Sequence, residues 1–314
     1  MSQFRKFRNS MPLAHTPYDG SSRMFTIGLK PLDPSTWIEV DEHYRDHLIE
    51  KQRVYATIPD LVFVEEEETR AAQREVLEVL VAHLGEHADR LSADDEWRRS
   101  LPARLAAARD SDDPPLRTAS LLVQEDLILM RRGEAGWRLA AGALCFPSSW
   151  SLIEKFGRPM HEIHRPVPGF GPGTRNADLI ARMFDNLKVD RPVERFNWSI
   201  QDNDELYHPL SNSERDVRSN ERPAKFTDDN VARQARVRVE RQTLRKLPLS
   251  GDILFAIRIH LDPVAMLARR ADRQSVAASF AEQLLELDEA QLDYKGLTAD
   301  RDRLVAALRR IAAS

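Results

Sequence analysis

In "GDILFAIRIHL" the residues Ile253, Phe255, Ile257, Ile259 and Leu261 alternate with Asp252, Leu254, Ala256, Arg258 and His260. Side chains at every second position share one side of a strand, so the segment predicts β-structure with one mostly apolar face. The same period holds in "RFNWSIQD", where Phe196, Trp198 and Ile200 alternate with Asn197, Ser199 and Gln201. It holds again in "ARVRVERQTLRKL", with Val237 and Val239 set against Arg236, Arg238, Glu240 and Gln242, until Arg241 blurs it. Upstream, "RTASLLVQEDLILMRRGEAGWRLAAGALCFPSSW" holds three short apolar runs separated by "QED" and "RRGEAG". Gly133 and Gly136 permit a turn there, and two adjacent hairpins are expected. One apolar and one polar face on each strand describes an antiparallel sheet covered on one side.

Helical spacing takes over elsewhere. Asp33 or Ser35 can cap a helix through "TWIEVDEHYRDHLIEKQRVY", and a second is expected from about Thr69, where Val76, Leu77, Val79, Leu80 and Leu84 line one side. Ser148 or Ser149 can cap a short helix through "WSLIEKFG", and "TRNADLIARMFDNLKV" reads as another. From His208 to Asn230 the chain is highly charged and poor in apolar residues, a long excursion of the kind that is either functional or disordered. "VAASFAEQLLEL" and "DRLVAALRRIAA" are amphipathic. The pattern predicts an α+β fold: a central antiparallel sheet of five or six strands with helices at both ends. Residues 1–30, rich in Pro, Gly and Ser, form an extended arm; 31–263 form the main domain; 264–314 form a helical extension.

Composition narrows the function classes. The 314 residues carry 46 basic and 50 acidic side chains, a net charge of −4, which argues against nucleic-acid binding. Cys145 is the only cysteine, so neither a disulfide framework nor a thiolate zinc cluster is expected. No apolar run approaches ~20 residues, and the basic N-terminus lacks the apolar stretch of a secretory signal. These features point to a cytoplasmic protein that does not enter membranes. GxGxxG after a strand, GxxxxGK[ST] and GxSxG are absent, which leaves dinucleotide, P-loop and α/β-hydrolase sites unsupported. His83 and His87 lie four apart without an HExxH glutamate and read as a solvated helix face.

"MHEIHRPVPGF" holds the more interesting histidines. His161 and His164 would share a helix face, but Pro159 and Pro166 make a continuous helix improbable there, which disfavours a two-histidine metal pair. A single histidine on a proline-stiffened loop can be an ordinary turn residue or an axial ligand to haem iron. Cys145 is either a small core residue or a thiolate ligand. Arg238, Glu240, Gln242, Arg258 and His260 either face solvent or, for the arginines, meet carboxylates of a cofactor.

The ordered set "LCFPSSWSLIEKFGRPMHEIHRPVPGF", "RFNWSI" and "RVERQTLRKLPLSGDILFAIRIHLDP" resembles the haem-dependent oxidative N-demethylases, specifically the dimethylamine monooxygenase α-subunit. The resemblance runs from about Pro31 to Pro263. It implies a PAS-like curved sheet closing over one haem b, and O₂-dependent removal of a methyl group from a small secondary amine with release of formaldehyde. It also implies NAD(P)H electrons delivered by flavin and iron–sulfur partners, since this chain lacks ferredoxin cysteines. His164 is the expected axial ligand, with His161 and His208 as alternatives. Arg195, Asn197, Trp198 and Thr243 are expected cofactor contacts, and Glu240 and Arg238 the catalytic side chains, Glu240 attracting a protonated amine. The competing reading is a haem-binding sensor or interaction protein on the same fold; a signalling output domain would mark it, and none is evident in the C-terminal helices.

Overall fold

The alternating segments come together in one antiparallel sheet of seven strands. They are β1 (Lys30–Pro31), β2 (Phe63–Glu65), β3 (Asp126–Gly133), β4 (Gly136–Ala143), β5 (Val193–Gln201), β6 (Arg236–Lys246) and β7 (Ile253–Pro263). Their order across the sheet is β1-β5-β6-β7-β3-β4-β2. The structure is a computed structural model that describes residues 13–91, 94–227 and 231–314. The first twelve residues of the expected arm, and the last three of the charged excursion, lie outside the described residues. The sheet exceeds five or six strands because β1 and β2 contain only 2 and 3 residues, too few to show a period.

Several local expectations are corrected. Between Arg117 and Trp150 there is one hairpin, β3–β4: Pro114 and Pro115 start a helix over Pro115–Ser120, and the first apolar run, at 121–123, follows it in turns and packs into the core outside the sheet. Gly136, at φ +99°, supplies the left-handed backbone of the hairpin turn. Asp33 caps only a 3₁₀ turn, Pro34–Thr36, and the first long helix begins at Tyr44. Ser151, rather than Ser148 or Ser149, precedes the short helix Leu152–Lys155. His83 is buried against Trp37, their ring centroids 5.2 Å apart, so it is not a solvated residue.

Directly paired residues of neighbouring strands share a face. The register therefore sets Arg195, Asn197 and Ser199 of β5 beside Gln242, Glu240 and Arg238 of β6, and those beside Ile257, Ile259 and Leu261 of β7. On this first face the chain between β4 and β5 packs Phe146, Leu152, Met160, Phe170 and Phe184 against Ile128, Met130, Ile257 and Ile259. The second face has two covers. Helices Arg70–Glu86 and Asp95–Arg109 pack over Leu127, Leu129, Leu254 and Ala256. Helices Arg273–Leu285 and Arg301–Ala313 pack over Trp198, Ile200, Val237 and Val239.

A sheet covered on both faces overturns the expectation of a solvated polar side. Arg238 is 0% exposed, Glu240 7% and Arg258 1%. Burying charge is costly unless it is paired or hydrogen-bonded, so these polar positions have to be explained by their partners. The charged excursion is also ordered: Ser211 and Glu214 form a capping box for the helix Asn212–Glu221. Arg218 then donates to the carbonyl of Tyr294 at 2.7 Å, and the Arg215 guanidinium lies 4.9 Å from the Tyr294 ring centroid.

Candidate functional site

The histidine segment is a string of tight turns. Pro159 precedes a single helical turn, Met160–Ile163, and His164 follows it. Its backbone N–H donates to the carbonyl of Met160 at 2.9 Å, and the amide of Val167 donates to the carbonyl of His164 at 2.8 Å. Lys155 pins the segment from below, donating to the carbonyl of Ile163 at 2.8 Å. The His164 ring points into the fold, 6.4 Å from the ring of Phe170. Desolvation, followed by the positive charges of Arg195 and Lys155, pushes its pKa down to about 4, while a hydrogen bond to the Met160 backbone acts the other way. At neutral pH the imidazole is therefore uncharged, the form that can ligate a metal.

Beside it on the first face stands a group of cations with little to neutralise them. Arg195 donates to the carbonyl of Thr26 at 3.3 Å, and its buried Nε has no partner. Desolvation lowers its pKa, against the opposing pull of Glu240 and Tyr294. Lys295 arrives from the helix Glu289–Lys295 and donates to the carbonyl of Trp198 at 2.7 Å and to Asn197 Oδ1 at 3.2 Å. Burial pushes its pKa down to about 8 despite the attraction of Glu240. Glu240 is the carboxylate of the group, and it accepts from Asn197 Nδ2 at 3.2 Å and Gln242 Nε2 at 2.7 Å. Two buried cations facing one carboxylate leave an excess of positive charge.

The expected site residues divide accordingly. His164, Arg195, Asn197 and Glu240 meet on the first face. Arg238 shares that face, but its guanidinium is spent on backbone: it donates to the carbonyls of Phe146 at 2.8 Å, Leu206 at 3.1 Å and Pro147 at 3.2 Å. It acts as a clamp between two loops. Trp198 and Thr243 point to the opposite face, Trp198 packing on Phe280 with ring centroids 4.9 Å apart. His161 keeps 40% side-chain exposure beside Glu162. His208 pairs with the chain at Ser148 and is surrounded by Arg238 and Lys225 rather than by Arg195 and Lys155. Cys145 is a fully buried core residue whose thiol is raised to about 12, by burial first and then by Asp126.

Sequence reasoning missed Lys155, Arg215, Tyr294 and Lys295. The last two stood in "LDYKG", where a basic and an aromatic residue precede a helix-ending glycine. That signal is too common to single them out.

Residues 28–305 match the family described as haem-dependent oxidative N-demethylase, alpha subunit-like. The chain belongs to this family. The matched stretch includes the histidine segment, β5 to β7 and Lys295, so the whole cation-rich face of this N-demethylase-like protein lies within it. The family description carries haem dependence, an oxidative N-demethylase-like activity and, through its alpha-subunit term, assembly with other subunits. Among the described residues no helix is long and apolar enough to cross a membrane.

The first face fits a haem on its own chemistry. It offers one neutral imidazole, a wall of Phe170, Ile257 and Ile259, and cations short of anionic partners, including the orphaned Nε of Arg195. Guanidinium and ammonium groups lacking carboxylates are suited to the two propionates that a haem carries.

Proposed function

We propose that this chain is the haem b-binding subunit of a monooxygenase that removes a methyl group from a small secondary amine, releasing formaldehyde and a primary amine. The observation that carries the reading is a neutral His164 beside two cations that have a single carboxylate, Glu240, between them. His164 would ligate the haem iron, and Arg195 and Lys295 would hold the propionates. Haem, when bound, supplies the activation of O₂, which is the oxidant.

The protein's own residues do the rest. Lys155 and the turns from Pro159 to Phe170 fix His164 so that little is lost in ordering the ligand. With the propionates held by Arg195 and Lys295, Glu240 would be left as a less compensated carboxylate held by Asn197 and Gln242. There it attracts a protonated amine and can take its N–H proton. Phe170 and Ile257 exclude water. Arg238 sets the loops at Phe146 and Leu206 that border the site. Electrons come from NAD(P)H through partner flavin and iron–sulfur proteins, consistent with a chain that has a single, buried cysteine. A PAS-like description of the scaffold is supported by β3 and β7, the first and last of the five long strands, lying side by side in the middle of the sheet.

The test is to express the chain with supplied haem, record the absorption spectrum, and compare His164→Ala. Loss of the Soret band is expected. Unchanged haem content and an unchanged iron spectrum would refute the ligand assignment. With a reductase system added, amine-dependent formaldehyde is expected from small methylamines. Intact haem without turnover on any of them would favour the sensor reading.

A further inference from the structure

The second face of β7 holds a different constellation. His260 Nε2 lies 3.0 Å from Glu39 Oε2, and His15 Nε2 lies 2.8 Å from Glu39 Oε1. One ligand atom from each of the three residues can be chosen so that all lie within 4.8 Å of one another. Ligands at ~2.0–2.2 Å from a common zinc-like ion lie within about 4.4 Å of each other, so small rotations bring these atoms into range. Each ligand is held from behind: His260 sits on a central strand, Glu39 is fixed through its N–H to Glu125 at 3.0 Å, and His15 packs on Phe196, ring centroids 4.7 Å apart.

Two arginines stand close, which would repel a cation if they were unmatched. Each has its own carboxylate. Arg241 donates to Glu194 at 2.8 Å, nearer than its 3.5 Å approach to Glu39, and Arg258 is paired with Asp41. Glu39 thus retains negative charge for an ion. A cleft of about 330 Å³ opens against the cluster, lined by Ala14, Ile38, Glu39, Asp41, His260 and Arg90, whose guanidinium is turned to Ser35 Oγ at 2.6 Å. It provides an entry path and space for the waters that complete a coordination shell.

We propose that His15, Glu39 and His260 form a binding site for one divalent first-row metal ion of the zinc type, with its open side on this cleft. Two imidazoles and a carboxylate from three separate segments supply the neutral and anionic donors such ions take, and leave at least one position for water. Both rings bind through Nε2, carrying their proton on Nδ1. The site is separate from the His164 face and does not depend on the haem reading.

The experiment uses the full chain without a histidine tag, stripped with chelator and titrated with Zn²⁺ by calorimetry, and with Co²⁺ followed by visible absorption. One equivalent bound at micromolar affinity or tighter is expected. His260→Gln keeps an amide donor for Glu39 but loses the imidazole, and should weaken binding at least ten-fold with an unchanged circular dichroism spectrum. Glu39→Gln should do the same, whereas His164→Ala should bind Zn²⁺ like the parent chain. Both informative substitutions lie outside the N-terminal arm, so the outcome does not hang on whether His15→Ala folds. Absence of stoichiometric binding, or parental affinity in both His260→Gln and Glu39→Gln, would overturn the proposal and leave the cluster as a brace for the arm.

Discussion

Strands β5, β6 and β7 carry buried charge on both faces, and the two sets are balanced differently. On the second face the two buried arginines each have a carboxylate, Arg241 with Glu194 and Arg258 with Asp41, while the half-buried Arg245 lies over the ring of Trp37. On the first, Arg195 and Lys295 share Glu240. A matched pair braces the structure and calls for no anionic ligand. An unmatched one is stable only as far as the fold tolerates it, and it favours an anionic ligand that restores the balance. That difference, more than any single residue, separates the face suited to haem from the face that organises the N-terminal arm.

The comparison can be broken most directly by exchanging ligands. His164→Ala should lower retained haem at least ten-fold while His260→Ala leaves it unchanged; measuring haem per chain from the pyridine haemochrome checks both. Next in size is the cost of unmatching the balanced face. Arg258→Met leaves Asp41 without its cation and should cost about 2–3 kcal/mol in urea denaturation, below the full penalty of a broken buried pair because Asp41 keeps 26% side-chain exposure.

The same kind of change on the first face should behave otherwise. Lys295→Met removes an uncompensated cation, so apoprotein stability should move by less than about 1 kcal/mol while haem affinity falls. Its pH dependence has a definite sign. The folded pKa of Lys295 is about 8, below its ordinary 10.5, so between those values the unfolded chain binds more protons and stability rises with pH. The penalty is fully present below about pH 8 and relieved by pH 10.5. Relative to Lys295→Met, the parent protein should therefore gain stability across that window; a flat difference in melting temperature would contradict the burial of the ammonium. The smallest effect belongs to His161→Ala, which should change stability by no more than about 0.5 kcal/mol and leave the Soret band in place.

Much of this architecture could be read from the pattern of residues. The strands β5, β6 and β7 stand where alternation placed them, and the helix Arg70–Glu86 begins after Thr69 as expected. The errors have local causes. The short apolar run at 121–123 is compatible with a strand, but it directly follows the proline-started helix Pro115–Ser120 and is taken up by turns that bury Leu122 and Val123. The two-residue and three-residue edge strands carry no period to detect. The site was legible where alternation put Arg195, Asn197 and Glu240 on one side of their strands. Trp198 and Thr243 stood in the same motifs, but their odd-even position sends them to the other side. Lys295 could not be found because its contact with Asn197 spans 98 residues of sequence.

The sequence by itself determined the α+β character, the family, the presence of a single thiol and the turn that holds His164, because these depend on composition, local periodicity, proline stiffness and ordered motifs. Only the tertiary structure decided that the polar faces are buried, that the helix Glu289–Lys295 supplies a cation to the first face, and that His15, Glu39 and His260 converge on the second. Those outcomes depend on which segments cover the sheet, and so on where distant charges are left with partners and where they are not.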